Sequence, residues 1–231
     1  EIMARYPRVR VGTWQENANI LKFLKSIPTT TEEIVFRFER KPDYFRYLRY
    51  QSERPFVFTF HNDDGSLGGV ASLCLKTLYF KGQATPMVYM SDVRMSKSLS
   101  RRTRLEWRAW YSDIVRYARE VDEFNRPAFL FTLVMDGNEA TLRAFARGKS
   151  DVTYEHFAGY QTVNIFGRKP WARKQPGSWN IRRAEAEDLG NIRTFLHRQN
   201  SSKPLGHHFT MDPWEHDGPP VDELQRRLNV W

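Results

Sequence analysis

Residues 87–119 read MVYMSDVRMSKSLSRRTRLEWRAWYSDIVRYAR. The stretch begins with an apolar segment, Met87 to Met95, which is typical of a β-strand. A polar and basic turn follows, and from Thr103 onward apolar residues recur at steps of three and four, which predicts a long amphipathic helix. The expected inner positions of this helix are Thr103, Trp107, Trp110, Ile114, Tyr117 and Val121. A strand and a helix in direct succession indicate a mixed α and β architecture.

Positive charge is concentrated in the same stretch. Residues 93–119 carry 8 basic and 2 acidic side chains, so they supply +6 of the formal net charge of +9. The basic residues are Arg94, Lys97, Arg101, Arg102, Arg104, Arg108, Arg116 and Arg119. Such a concentration attracts phosphate, whether it belongs to a nucleotide cofactor or to a nucleic acid. The alternative is a solvated helix face that the acidic residues after Arg119 balance.

The composition excludes several classes of protein. Hydrophobic residues make up 40% and aromatic residues 14% of the 231 residues, which excludes a wholly disordered chain. Cys74 is the one cysteine, so no internal disulfide can form, and a buried thiol in a reducing, cytoplasmic compartment is expected. No stretch approaches the roughly 20 apolar residues that cross a bilayer, so we expect a soluble protein without a membrane partner.

The remaining pattern alternates strands and helices. Asn62 to Gly65 is a strong turn signal between two apolar runs, which predicts a hairpin, and Gly68-Gly69 is best explained by a bulge in it. Asn138 can cap a helix with an inner face at Leu142 and Phe145. The other predicted elements are a strand at 8–14, a helix at 16–25, a helix from Pro42 toward Tyr50, a buried strand at 127–135 and two closing strands at 152–157 and 160–166.

A second region begins after a predicted linker at 171–178, which contains Pro176 and Gly177. Beyond it we expect a strand at 179–183 and a helix at 184–198 with inner positions at Leu189, Ile192, Phe195 and Leu196. The histidines at 207, 208 and 216, with Asp212 and Asp217, lack regular ligand spacing, so we expect them to face solvent and predict no metal site.

The order of elements resembles the GNAT superfamily of acyl-coenzyme A transferases from Arg8 to about Gly167. The most specific parts are Val88-Tyr89-Met90-Ser91-Asp92-Val93-Arg94-Met95 and Phe129-Leu130-Phe131-Thr132-Leu133-Val134, the latter followed by Asp136-Gly137-Asn138-Glu139-Ala140. The resemblance implies an α+β fold, with a mostly antiparallel central sheet and helices on both faces. The stretch from Trp179 to Leu189 resembles the start of another such domain. The implied organisation is a GNAT-like domain at 1–170, a linker, and a partial α/β segment at 179–231.

The resemblance also implies a site for acetyl-CoA or a related acyl-CoA. Members of the superfamily bind the coenzyme pyrophosphate on backbone amides at the start of the long helix, where the helix dipole favours an anion. The residues expected to bind the cofactor are Val93, Met95, Arg101, Arg102, Thr103, Arg104, Leu105 and Asn138. The chain departs from the usual loop pattern, because Thr103 and Leu105 stand where glycine or alanine is typical.

Three residues are candidates for catalysis. Asp92 is the expected base, although it could instead pair with an arginine as a structural carboxylate. Many members carry a tyrosine seven residues after the asparagine that opens the second helix, but here that position is Phe145. Tyr154 or Tyr160 could replace it as the donor to the departing thiolate if the closing strands bring one of them inward.

The resulting prediction is an N-acyltransferase that transfers an acetyl group to a small-molecule or peptide amine by direct attack. The alternative is a catalytically degenerate GNAT-like module whose basic helix holds a nucleic acid or an acidic partner. A third interpretation makes the first domain a scaffold and assigns the active site to the second region.

Overall fold

The computed structural model describes residues 2–30, 35–36, 39–52, 54–118, 127–146, 152–159 and 182–208. The chain divides into two compact units. Unit 1 contains Glu1–Leu78 and Gln83–Glu155, and unit 2 contains Tyr79–Gly82 and His156–Trp231. The predicted linker at 171–178 and Tyr160 lie outside the described residues.

The helices are α1 (Asn17–Ser26), α2 (Tyr44–Gln51), α3 (Arg101–Ala118), α4 (Glu139–Ala146) and α5 (Leu189–Ser201). The strands are β1 (Val9–Val11), β2 (Thr29–Thr30), β3 (Val35–Phe36), β4 (Arg54–His61), β5 (Leu67–Phe80), β6 (Gln83–Met95), β7 (Phe129–Thr132) and β8 (Gly206–His207).

Unit 1 is built on a sheet with the strand order β1-β4-β5-β6-β7. The β1/β4 and β4/β5 pairs are antiparallel, whereas β6 and β7, which are joined through α3, are parallel. β4 and β5 form the predicted hairpin. Its register shifts where Phe60 faces Gly69 and His61 faces Leu67, so Gly68 is the extra residue of the predicted bulge.

Side chains alternate between the two faces of this sheet and bury two separate cores. The α3-side core packs Phe58, Phe60, Leu73 and Val88 against Trp110 and other residues of α3. The α1–α2-side core packs Val57, Val70 and Cys74 against Ile20, Phe23, Tyr44 and Leu48. The mostly antiparallel sheet with helices on both faces is therefore confirmed, and it follows from the period of two in the strands.

Several sequence predictions in unit 1 are wrong. Leu142, expected on the inner face of α4, is exposed, and the strand expected to be buried at 127–135 spans only Phe129–Thr132, where each residue is only partly buried. Tyr117, an expected inner position of α3, is exposed, while Tyr111 and Ala118 are buried in its place. Residues 152–157 form no strand, although Val152 and Tyr154 pack on the α3-side core. The apolar alternation there reflects contact with a core, which side chains can make without ladder hydrogen bonds.

Unit 2 contains α5, β8 and the turn at the end of β5. The amide of Leu205 donates to the Tyr79 carbonyl oxygen at 3.1 Å, and the Tyr79 hydroxyl lies 2.9 Å from His197 Nδ1. α5 confirms the predicted helix, but Ile192 and Phe195 are exposed and not inner positions. His208 is partly buried with its ring 5.2 Å from that of Tyr79, so the expectation that it faces solvent is wrong.

Among the described helices, none combines the length and the apolar character that a membrane crossing requires.

Candidate functional site

The parallel pair β6/β7 separates before β6 ends. Its register runs from Met87 opposite Phe129 to Met90 opposite Thr132, and the Thr132 hydroxyl donates to the Met90 carbonyl oxygen at 3.0 Å. β7 stops there, whereas β6 continues to Met95. We call the gap beside residues 91–95 of β6 the β6–β7 opening. The backbone of β6 along this opening has no ladder partner in the described part of β7.

Asp92 stands at the point where the strands separate and breaks the alternation of β6. Its φ of 49° lies in the left-handed region, which is uncommon for a residue other than glycine. Val88 and Met90 belong to the α3-side core, so strict alternation would put Asp92 on that side too. Instead Asp92 pairs with Arg40, which stacks on Tyr47 of the α1–α2-side core. Val93 then returns to the α3-side core, which is the geometry of a β-bulge.

The Asp92 carboxylate is buried against one cation. Its Oδ1 lies 3.4 Å from Arg40 Nη2, and the two side chains are only 7% and 13% exposed. The Arg40 guanidinium carbon lies 3.6 Å from the centroid of the Tyr47 ring. The second carboxylate oxygen, Oδ2, is buried without a hydrogen-bond partner among the described residues. A buried oxygen in this state is free to accept a proton or a hydrogen bond from a bound molecule.

The negative charge of Asp92 acts on several hydroxyl and thiol groups of unit 1. Burial, and then the negative charge of Asp92, raise the pKa of Tyr44 well above its usual value and that of Tyr89 to about 12. Burial also raises the pKa of the Tyr47 hydroxyl and that of the Cys74 thiol, the latter to about 11. All four groups therefore keep their protons at neutral pH. Tyr89 stacks on Phe131 across the last paired residues of β6 and β7, with ring centroids 5.0 Å apart.

The start of α3 is partly occupied by the chain itself. The Thr103 amide donates to the Ser100 hydroxyl at 3.1 Å, so Ser100 is the N-cap, and the side chain of Thr103 is fully buried. Arg104 folds back on the preceding turn, where its guanidinium donates to the carbonyl oxygens of Leu99 and Lys97 at 3.0 and 2.9 Å.

The amides of Arg101 and Arg102 precede the first intrahelical hydrogen bonds and remain for an anion. Arg101, Arg102 and Arg108 are exposed, and within the described ranges no carboxylate pairs with them. Leu105 is also exposed. The two departures from the usual loop pattern therefore differ in effect, because Thr103 points into the protein and only Leu105 borders the exposed face.

The other residues predicted for the site are placed as follows. Val93 and Met95 lie on β6 along the opening. Asn138 caps α4, because its Oδ1 accepts from the Thr141 amide at 3.3 Å, which confirms the predicted cap. Tyr154 stacks on Tyr111 of α3, and their hydroxyls are hydrogen bonded. Tyr154 thus lies in the α3-side core and is not brought to the side of the sheet where Asp92 meets Arg40.

The residues that sequence reasoning missed are Arg40, Tyr44, Tyr47 and Tyr89. Tyr89 belongs to the strand quoted at the start. Because it alternates with Val88 and Met90, its side chain was predictable on the other face of the sheet, the α1–α2 side. No sequence signal connects Arg40 to Asp92 over 52 positions. Where the structure describes the chain, it groups no three His, Cys, Asp or Glu side chains in a way suited to a metal ion.

No family model matches the chain, and no curated protein sequence does. Solved structures similar to it include an acetyltransferase of Trypanosoma brucei, with 14% identity and a TM-score of 0.47 over 68% of this chain and 98% of that one. The aminoglycoside 6'-N-acetyltransferase AAC(6')-Ih of Acinetobacter baumannii has 8% identity and a TM-score of 0.42 over 68% of this chain and 98% of its own.

A third similar structure is AAC(6')-Iy in complex with the bisubstrate analogue CoA-S-monomethyl-acetylneamine. It is 12% identical, with a TM-score of 0.44 over 67% of this chain and 97% of that one. Two of the three are described as acetyltransferases.

Proposed function

We propose that the chain is an N-acyltransferase that transfers an acetyl group from acetyl-CoA, or from a related acyl-CoA, to the amine of a small molecule or peptide. The observation that carries this proposal is the β6–β7 opening, which has a buried carboxylate at its closed end. From Asp92, β6 leads to the basic start of α3 within nine residues. A thioester carrier has an anionic diphosphate and a flexible arm. The basic start of α3 suits the diphosphate, and the β6–β7 opening suits the arm.

The diphosphate would bind at the start of α3. The amides of Arg101 and Arg102 would donate to it, the helix dipole favours an anion there, and exposed guanidinium groups can add charge-assisted hydrogen bonds. The arm would then follow Met95 and Val93 toward Asp92 along the unpaired edge of β6. Asn138 is less suited to a cofactor contact than the sequence suggested, because its side-chain oxygen already caps α4.

The chemical step would be a direct attack of the amine. The neutral amine forms a bond to the thioester carbonyl carbon, and Asp92 Oδ2 accepts the proton that the nitrogen loses. The carbon–sulfur bond breaks, and Tyr89, whose pKa burial raises to about 12, donates its proton to the departing thiolate. Tyr89 then recovers a proton from solvent, and Asp92 releases to solvent the proton that it accepted. We assign this role to Tyr89 because Tyr154 is held on Tyr111.

An acyl-cysteine intermediate is not part of this scheme. The one cysteine, Cys74, is fully buried, and its pKa is raised to about 11, so the thiolate that would act as the nucleophile is scarce at neutral pH.

Calorimetry with acetyl-CoA tests the cofactor. We expect binding and a rise in Tm, and no heat with no stabilisation at millimolar acetyl-CoA would remove the proposal. Replacing Arg101 and Arg102 together by Glu should weaken binding at least tenfold. The matched control, Arg108→Glu with Arg116→Glu, makes the same change of charge farther along α3 and should weaken it less than threefold. Equal losses would indicate general electrostatic attraction in place of a site.

The exposed arginines favour one second candidate, a module that binds nucleic acid. Arg101, Arg102 and Arg108 have no carboxylate partner among the described residues, as expected of side chains that meet phosphates. If this function holds, mixed-sequence oligonucleotides should bind at low salt, and affinity should fall steeply as salt rises. Absence of binding at every salt concentration would reject it.

A further inference from the structure

The contact between Arg40 and Asp92 joins two residues that lie 52 positions apart. The Arg40 side chain is 13% exposed and the Asp92 side chain 7%. We propose that Arg40 is a positioning residue for acyl transfer: it binds Oδ1 of Asp92 and so leaves Oδ2 as the oxygen that accepts the proton of the acceptor amine. The inference rests on the proposed function. It adds to it the residue that supplies the charge and orientation of the base.

The position of Arg40 is set by α1 and α2. On α1, the Asn17 side-chain amide donates to the Pro42 carbonyl oxygen at 3.1 Å, and its oxygen accepts from the Tyr44 amide at 2.9 Å. These two hydrogen bonds hold the backbone that follows Arg40. The guanidinium then stacks on Tyr47 of α2, and the Tyr47 hydroxyl is hydrogen bonded to Gln51. Arg40 is therefore fixed at its backbone and at its planar head group.

The position of Asp92 is set by the bulge in β6. Its left-handed backbone turns the carboxylate toward the α1–α2 side, away from the side that Val88 and Met90 share. A carboxylate buried without a counter-charge takes up a proton or rearranges, and it could then no longer serve as a base.

The other groups that interact electrostatically with Asp92 supply no positive charge. They are the hydroxyls of Tyr44 and Tyr47 on α2, the Cys74 thiol on β5 and the Tyr89 hydroxyl on β6, and all of them are neutral at neutral pH. Arg40 is the one cation that the described residues bring within ion-pair distance of the carboxylate. The pair is held through a single oxygen, so its charge is balanced while Oδ2 keeps its lone pairs.

The effect of Arg40 on acyl transfer is measured as the rate of thiol release from acetyl-CoA. The probe is a mixture of spermidine, kanamycin A and L-lysine methyl ester, assayed with the full chain. The variants are Arg40→Met, Arg40→Lys, Asp92→Asn and the double variant Arg40→Met/Asp92→Asn. Arg49→Met is the matched control, because Arg49 is an exposed arginine of α2 that pairs with Asp43.

We expect Arg40→Met to lower kcat at least about 100-fold, within the range for loss of a general base. The KM and Kd for acetyl-CoA should stay within twofold of the wild type, and Arg40→Lys should recover part of kcat because it restores the charge without the planar head group. The double variant should be no slower than Asp92→Asn alone, because Arg40 acts through Asp92. Arg49→Met should match the wild type.

The remaining outcomes contradict either the role of Arg40 or the proposed function itself. If the wild type releases thiol and Arg40→Met keeps its kcat, the inference fails and the proposed function stands. If the losses in the double variant multiply, or if acetyl-CoA affinity falls together with kcat, Arg40 has a structural role and the inference fails. If the wild type neither binds acetyl-CoA nor releases thiol, the proposed function fails and the inference with it.

Discussion

Cys74 illustrates how one buried group links the core to pH. Its thiol is fully buried in the α1–α2-side core, and burial raises its pKa from 9.0 to about 11. The folded chain therefore keeps a proton between pH 9 and 11 that the unfolded chain releases, so the free energy of unfolding falls as pH rises through this window. The contribution is complete below pH 9 and is lost above about pH 11.

The Cys74→Ala variant tests this linkage. Between pH 8 and pH 10, the free energy of unfolding should fall by about 1 kcal/mol less in the variant than in the wild type, because one ionising group has been removed. Urea unfolding at both pH values measures it. Comparing slopes, and not absolute stabilities, removes the constant cost of the smaller side chain. Parallel curves for the two proteins would contradict the burial of an intact thiol.

Residues of α3 show how far burial can be inferred from the spacing of apolar residues. Thr103 has the step of an inner position and is fully buried, and Trp110 and Ile114 are buried as predicted. Tyr117 has the same step but is exposed. The spacing indicates which residues share a stripe, whereas the width and the end of the buried stripe depend on the neighbouring element that covers them.

At the scale of elements, the start of α3 combines a structural cap with two unused amides. Ser100 accepts from the Thr103 amide, and the Thr103 hydroxyl donates to the His61 carbonyl oxygen at 3.2 Å, which ties the helix start to the end of β4. The cap thus fixes where the helix begins and which amides remain for an anion.

The Ser100→Ala variant should lower the free energy of unfolding by about 1 kcal/mol, because the Thr103 amide loses its acceptor. It should also weaken acetyl-CoA binding several-fold if the helix start is the anion site. Ser112→Ala, within the same helix, is the control and should change stability by less than about 0.5 kcal/mol. Denaturant unfolding measures both. A loss no larger than that of the control would show that Ser100 does not cap α3.

At the scale of the whole molecule, Arg8 joins parts of unit 1 that are distant in sequence. Its guanidinium contacts Glu106 Oε2 of α3 at 2.8 Å and Asp63 Oδ1 of the β4–β5 turn at 2.6 Å. The Arg8 amide also donates to Glu106 Oε1 at 2.7 Å. This network connects the start of β1 to the long helix and the hairpin, and the Arg8 and Glu106 side chains in it are largely buried.

Arg8→Ala should lower the free energy of unfolding more than the loss of an exposed arginine does, because its hydrogen bonds join charged side chains that are only 16% and 11% exposed. Arg5→Ala removes an exposed arginine that pairs with Asp113 and should cost less than about 1 kcal/mol. Urea unfolding at 0.05 and 0.5 M NaCl compares the two. Equal costs, or a cost of Arg8→Ala that vanishes in high salt, would mean that Arg8 acts only as a surface charge.

The amino-acid sequence alone was sufficient for the local features of this protein. It predicted the β4–β5 hairpin and its bulge at Gly68, the strand before α3, the Asn138 cap and the concentration of arginines at the helix start. These features depend on residues within a few positions of one another, because turn chemistry, capping and period are local properties of the chain.

Only the tertiary structure decided which residues meet at the candidate site. Asp92 was predicted as a base or as a partner of an arginine, and the bulge gives it both a partner in Arg40 and an unpaired Oδ2. Tyr154 was predicted as a donor, yet it packs on Tyr111. A local pattern does not contain these pairings, because they depend on which face of the sheet each element covers and on a backbone angle that reverses one side chain.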